Sequence, residues 1–136
     1  MDSAEAFAAI ALGAVACDGV LGREEAHALR RHLEYRTPYC ERSDEQMGAM
    51  FDGLLTVLRQ DEGLNHLINQ ALPVLNAQQQ ETSLALAAQL VHADRVVEEE
   101  ERAFLATLCE RLPSGKERGE AIISAIAALN RDSLAG

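Results

Sequence analysis

The chain is expected to fold as an all-α, compact bundle of about seven helices with an internally duplicated helical hairpin. Three observations lead there. Strand signals are nearly absent, since no stretch sustains apolar/polar alternation with β-branched or aromatic enrichment. Apolar residues recur instead at helical spacing in an Ala- and Leu-rich chain. The chain also matches itself at an offset of 76 residues.

The first helix is expected over about 3–17, with Phe7, Ile10, Ala11 and Ala14 on one face and Asp18-Gly19 as its stop, glycine being favoured just past a helix end. The second runs about 23–35, with Leu29 and Leu33 inward, and ends at Thr37-Pro38. Ser43 followed by Gln46 is a capping-box pattern that starts the third, which buries Met47, Met50, Phe51, Leu54 and Leu58. The fourth spans about 62–75 through Leu64, Leu67, Ile68 and Leu72, with Pro73 kinking its last turn. Asn76 and Gln79 repeat the capping-box pattern, so the fifth begins near 77 and presents Leu84, Ala87, Ala88 and Val91 before ending near Asp94. The sixth covers about 98–112 with Phe104, Leu105 and Leu108, and Pro113-Ser114-Gly115 breaks it. The seventh covers about 116–130 with Ile122, Ile123, Ile126 and Leu129. Short connections favour antiparallel neighbours in one bundle.

The length of 136 residues suits a single domain, 1–136, and a hydrophobic content of 48% is enough for a core. Twelve basic against 22 acidic residues give a net charge of −10, spread as −6 over residues 1–68 and −4 over 69–136. That balance argues against nucleic acid and anionic membranes as direct partners, both of which need basic patches, and it suits a cation or a basic partner. The N-terminus has Asp2 and Glu5 and no early Lys or Arg, unlike a secretory signal. The longest uncharged run, Gly63 to Gln80, contains Asn, Gln, His and Pro and is no membrane span. Cys17, Cys40 and Cys109 are odd in number and lack a CxxC pair, so neither a disulfide framework nor a structural zinc site is expected, and the expected compartment is the cytoplasm.

The repeat lays residues about 3–35 over about 79–111. Its identities include Ala11/Ala87, Val15/Val91, Asp18/Asp94, Val20/Val96, Glu24/Glu100, Glu25/Glu101 and Leu29/Leu105. Each hairpin has Asp at the end of one helix and Glu inside the first turn of the next, and a pseudo-twofold arrangement lets the two share a core. Asp18 and Asp94 stand at the negative ends of helix dipoles, where a carboxylate needs compensation. Two readings are open. In one, Asp18, Glu25, Asp94 and Glu101 converge on a divalent cation, hard ions such as Ca²⁺, Mg²⁺ and Mn²⁺ preferring oxygen ligands. In the other, the Asp side chains bond the amides of their own turns, while Glu25 and Glu101 cap their helices from the third helical position.

Other signals are weaker. Glu24-x-x-His27 is half of a di-iron helix motif, and its repeat partner at Ala103 has no His. His92, two residues before Asp94, reads first as a half-buried side chain with one satisfied nitrogen. Cys17 beside Asp18 has acidic neighbours that raise its thiol pKa, which fits core packing over reactivity. No Ser/His/Asp set, phosphate loop or nucleophile motif is visible, so no enzyme activity is expected.

At these residues the chain resembles the TerB-like family, named for tellurite resistance. The carriers are Cys17-Asp18-Gly19-Val20-Leu21 with Glu25, then Ala93-Asp94-Arg95-Val96-Val97 with Glu101-Arg102-Ala103-Phe104-Leu105. Glu45-Gln46-Met47 through Leu58 and Gln80-Glu81-Thr82 look like the form of the family common in cyanobacteria. The resemblance implies a non-enzymatic domain linked to tellurite resistance or a metal-stress response, a metal site on Asp18, Glu25, Asp94 and Glu101, and protein partners that include membrane-associated ones. Arg95 stands where the family has Gly; Arg rarely takes positive φ, and its charge can pair with Asp94 or Glu98. A metal-free adaptor that docks protein partners is the alternative, and a metal-assisted hydrolase the third reading.

Overall fold

A computed structural model of the protein describes residues 1–18, 23–93 and 96–136, with the side chains of residues 23–25 outside that description. Among the described residues there are seven α-helices and no strand: α1 Ser3–Ala16, α2 Arg23–Leu33, α3 Asp44–Leu58, α4 Gly63–Ala71, α5 Ala77–His92, α6 Glu99–Glu110 and α7 Lys116–Leu129. Short 3-10 turns occupy Tyr39–Glu41 and Leu72–Val74. The second falls where Pro73 removes a backbone donor from the end of α4.

Local chemistry starts the helices. The Ser43 hydroxyl accepts from the Gln46 amide at 3.1 Å while the Gln46 side chain accepts from the Ser43 amide at 2.9 Å. Asn76 and Gln79 form the same reciprocal pair at 2.9 Å in each direction. Each box satisfies two of the four amides that a helix start leaves without partners.

α1 departs from the expectation of a single apolar face. Ala4, Ala6, Ala8, Ala9, Ile10, Leu12, Ala14 and Ala16 are all buried, which places side chains in contact with protein all around the helix. A helix apolar on every side belongs in the centre of a bundle, and α1 packs against α2, α4, α5 and α6. Its small residues allow close approach. A Cβ on Gly13 would lie 3.0 Å from Phe104 Cζ of α6 and 3.2 Å from Leu64 Cδ1 of α4. Around α1 the core collects Leu29 and Leu33 of α2, Met47, Phe51 and Leu54 of α3, Leu67 and Ile68 of α4, Leu84 and Val91 of α5, and Phe104, Leu105 and Leu108 of α6.

α7 is a correction of the other kind. It packs on α5 and α6, yet Gly119 is its buried residue, Ile122, Ile123 and Ile126 are half-buried, and Leu129 is 74% exposed. Gly119 is buried because α6 comes close there: a Cβ at this position would meet Cys109 Sγ at 2.7 Å and Cys109 Cα at 3.2 Å.

The duplicated hairpins keep a common register. α1 ends at Ala16 and α5 at His92; α2 begins at Arg23 and α6 at Glu99, so both boundaries obey the 76-residue offset. α1 and α5 run side by side in the same sense. Their first turns, at Ser3–Ala4 and Asn76–Gln79, border one cavity at one end of the bundle. At the other end, Cys17 just after α1 lies in the field of Glu100 and Glu101 in the first turn of α6, which follows α5. The end of α1 and the start of α6 therefore lie at the same end of the bundle.

Candidate functional site

The candidate site is built from helix ends. Cys17 caps α1 in a right-handed helical conformation, and the last turn of α1 carries no basic residue. The Cys17 Sγ donates to the Ala14 carbonyl at 3.4 Å, holding the thiol half-buried against its own helix. Asp18 follows on the surface. The negative end of the α1 dipole and the Asp18 carboxylate thus occupy the same place.

The second hairpin meets this point with its acidic helix start. Glu98 is the N-cap of α6; its side chain accepts from the Glu101 amide, while Glu101 Oε1 accepts from the Glu98 amide at 2.8 Å. Glu99, Glu100 and Glu101 fill the first turn, where carboxylates suit the positive end of a helix dipole. The Cys17 thiol records how close the two hairpins come. Burial first, then the negative charge of Glu101, then that of Asp18, pushes it up to about 11, with Glu100 adding a smaller push. Carboxylates from both hairpins therefore act on one sulfur.

Of the four residues singled out in the sequence, Asp18 and Glu101 both act on the charge state of the Cys17 thiol. Asp94 and the side chain of Glu25 lie outside the described residues, as do Gly19 to Gly22 and Arg95. Among the described residues no three His, Cys, Asp or Glu side chains are placed to hold a metal ion. Asp18 and Glu101 are oxygen donors of the kind a hard cation takes. Glu101 has one oxygen committed to its cap, which leaves Oε2 for a ligand and disfavours a bidentate grip.

His92 follows the plainer expectation: its Nδ1 lies 2.8 Å from the Ala88 carbonyl one turn back, and the ring is half-buried. Met47 and Met50 are core residues. His27 is exposed, and the Glu24 side chain that would partner it is among those not described. Glu100 was not singled out in the sequence, although its position in the first turn of a helix that meets the end of α1 was the available signal.

Two cavities lie elsewhere. One, of about 390 Å³, runs between α6 and α7 past His92, Val97, Leu105, Cys109, Lys116 and Ile123. The other, of about 400 Å³, lies at the opposite end of the bundle from the acidic turns, between the starts of α1 and α5 and residues 36–39. The sequence reading missed Arg36, Phe7 and Tyr39 as a group, because only the fold brings the start of α1 to the segment after α2. No helix among the described residues is long and apolar enough to cross a membrane. No protein-family model matches the chain, and no curated protein or solved structure matches it significantly.

Proposed function

We propose that this is a non-enzymatic, TerB-like domain in which the two acidic turns hold one divalent cation, and that it serves tellurite resistance or a metal-stress response. The observation that carries the reading is that the negative charges of Asp18 and of Glu101, from different hairpins, both act on the Cys17 thiol. Two hairpins that share a register, with Asp18 at the end of α1 and Glu100 and Glu101 at the start of α6 acting on one thiol, concentrate negative charge there. A cation with oxygen ligands at roughly 2.0–2.6 Å offsets that charge and braces one hairpin against the other. Asp18 and Glu101 supply one ligand from each hairpin, and Glu25 and Asp94 complete the set. Calorimetric titration of metal-free protein with Ca²⁺, Mg²⁺, Mn²⁺ and Zn²⁺ tests this. Saturable heat with one of them, abolished by Asp18→Ala plus Asp94→Ala, is expected; no heat with any of them refutes it.

A second reading is a metal-free adaptor that docks protein partners, membrane-associated ones included. The capping bond of Glu101 favours it, because that carboxylate already stabilises α6 without an ion. Affinity capture from the native cell with and without chelator separates the two. A partner retained in chelator, by protein that gives no metal heat, supports the adaptor.

A further inference from the structure

The cavity at the amino-terminal end of α1 and α5 has a character opposite to the rest of the molecule. In a chain with 22 acidic residues, none of the residues lining this cavity is Asp or Glu, and its one charged side chain is Arg36. The Arg36 guanidinium lies over the Phe7 ring, 5.6 Å from the centroid, and Phe7 in turn packs at 6.4 Å on Tyr39. Tyr39 is fixed by its hydroxyl, which donates to the Ala4 carbonyl. Among the described residues no carboxylate forms an ion pair with Arg36. Asp2, the N-cap of α1, lies close enough for its charge to act on Tyr39, and its Oδ1 accepts from the Glu5 amide at 2.8 Å.

A guanidinium held over an aromatic face by its charge still has N–H groups to offer a planar, two-oxygen acceptor. The opposite wall adds donors. Gln79 Oε1 is taken by the Asn76 amide, which leaves the Gln79 side-chain NH₂ to donate. Between these polar walls lie Ala4, Phe7, Pro38 and Leu75. A volume of about 400 Å³ falls in the range of roughly 300–1,000 Å³ usual for small-molecule sites, and the lining is mixed, with Ser3, Thr37, Asn76, Gln78 and Gln79 beside the apolar residues.

We propose that this cavity binds a small organic carboxylate, with its carboxylate on Arg36 and its apolar body against Phe7, Pro38 and Leu75. The proposal is independent of the cation, since the two sites lie at opposite ends of α1. The test is an NMR titration of the full chain with sodium benzoate, benzamide and inorganic phosphate at matched ionic strength. Benzoate is expected to move the backbone amides of Thr37, Gln78 and Gln79 saturably, with benzamide and phosphate each at least tenfold weaker. Arg36→Gln, on the surface, is expected to weaken benzoate at least tenfold, and Gln78→Glu, which places a carboxylate in the lining, to do the same. Unmoved amides, benzamide or phosphate binding as tightly as benzoate, or unchanged affinity in both variants would overturn the proposal.

Discussion

Glu101, at the start of α6, holds the Cys17 thiol in its protonated form more strongly than does Asp18, the chain neighbour of Cys17. A residue from the second hairpin thus outweighs an adjacent one in its effect on the thiol. This effect also separates two roles of Glu101, because the capping bond needs only an acceptor oxygen while the push on the thiol needs the charge.

Glu101→Gln is therefore expected to keep the cap and lose the charge, since Gln serves equally at the third position of a capping box. Thermal stability should change little, and the Cys17 pKa should fall from about 11 toward its ordinary value of 9.0. Alkylation rate against pH, in a Cys40→Ser, Cys109→Ala background, reads it. An unmoved profile would mean that Glu101 does not act on this sulfur.

Alkaline pH should destabilise the fold. Cys17 is raised to about 11 from 9.0, and Tyr39, chiefly through burial, to about 12 from 10.0. Both groups are neutral when protonated, and the folded state favours that form. Their contribution is fully present below the unfolded values and is lost as pH rises through the folded ones. Denaturant midpoints are expected to fall between about pH 9 and pH 12, less steeply in Cys17→Ala and Tyr39→Phe than in the parent. Equal slopes in all three would contradict these shifts.

Gly119→Ala is expected to cost about 1–3 kcal/mol, as overpacking does in well-filled interiors, because its Cβ would meet Cys109 Sγ at 2.7 Å. Cys109→Ala should recover part of that loss in the double variant, leaving the 3.2 Å contact with Cys109 Cα. Urea unfolding of the four proteins gives the coupling directly. Strictly additive costs would rule out this contact as the cause.

Core and surface leucines should separate sharply. Leu29→Ala, at a fully buried position in α2, is expected to cost about 2–5 kcal/mol. Leu129→Ala, at a position 74% exposed, is expected to stay within about 0.5 kcal/mol. Chemical denaturation distinguishes these outcomes, and a large loss at Leu129 would place α7 deeper in the fold than described.

These contrasts mark what was legible in the chain. Helix positions were, because capping boxes at Ser43/Gln46 and Asn76/Gln79 and a break at Pro113-Ser114-Gly115 are local chemistry. The depth of each helix was not. α1 and α7 are both rich in Ala and other apolar residues, yet α1 is enclosed by four helices while α7 packs on two. Composition alone cannot rank them, since burial depends on how many neighbours the topology supplies. The repeat singled out Asp18 and Glu101 as candidates, through their alignment with Asp94 and Glu25. The Arg36 cavity was not, because its walls come from segments with no shared pattern.

The most direct test of the shared cation site is a Mn²⁺ titration of metal-free protein followed by amide NMR, since the ion broadens signals near it. Amides of Cys17 and Asp18 and those of Glu100 and Glu101 are expected to disappear together, at one equivalent, before any others. Broadening confined to one hairpin, or spread evenly over the acidic surface, would contradict the shared site.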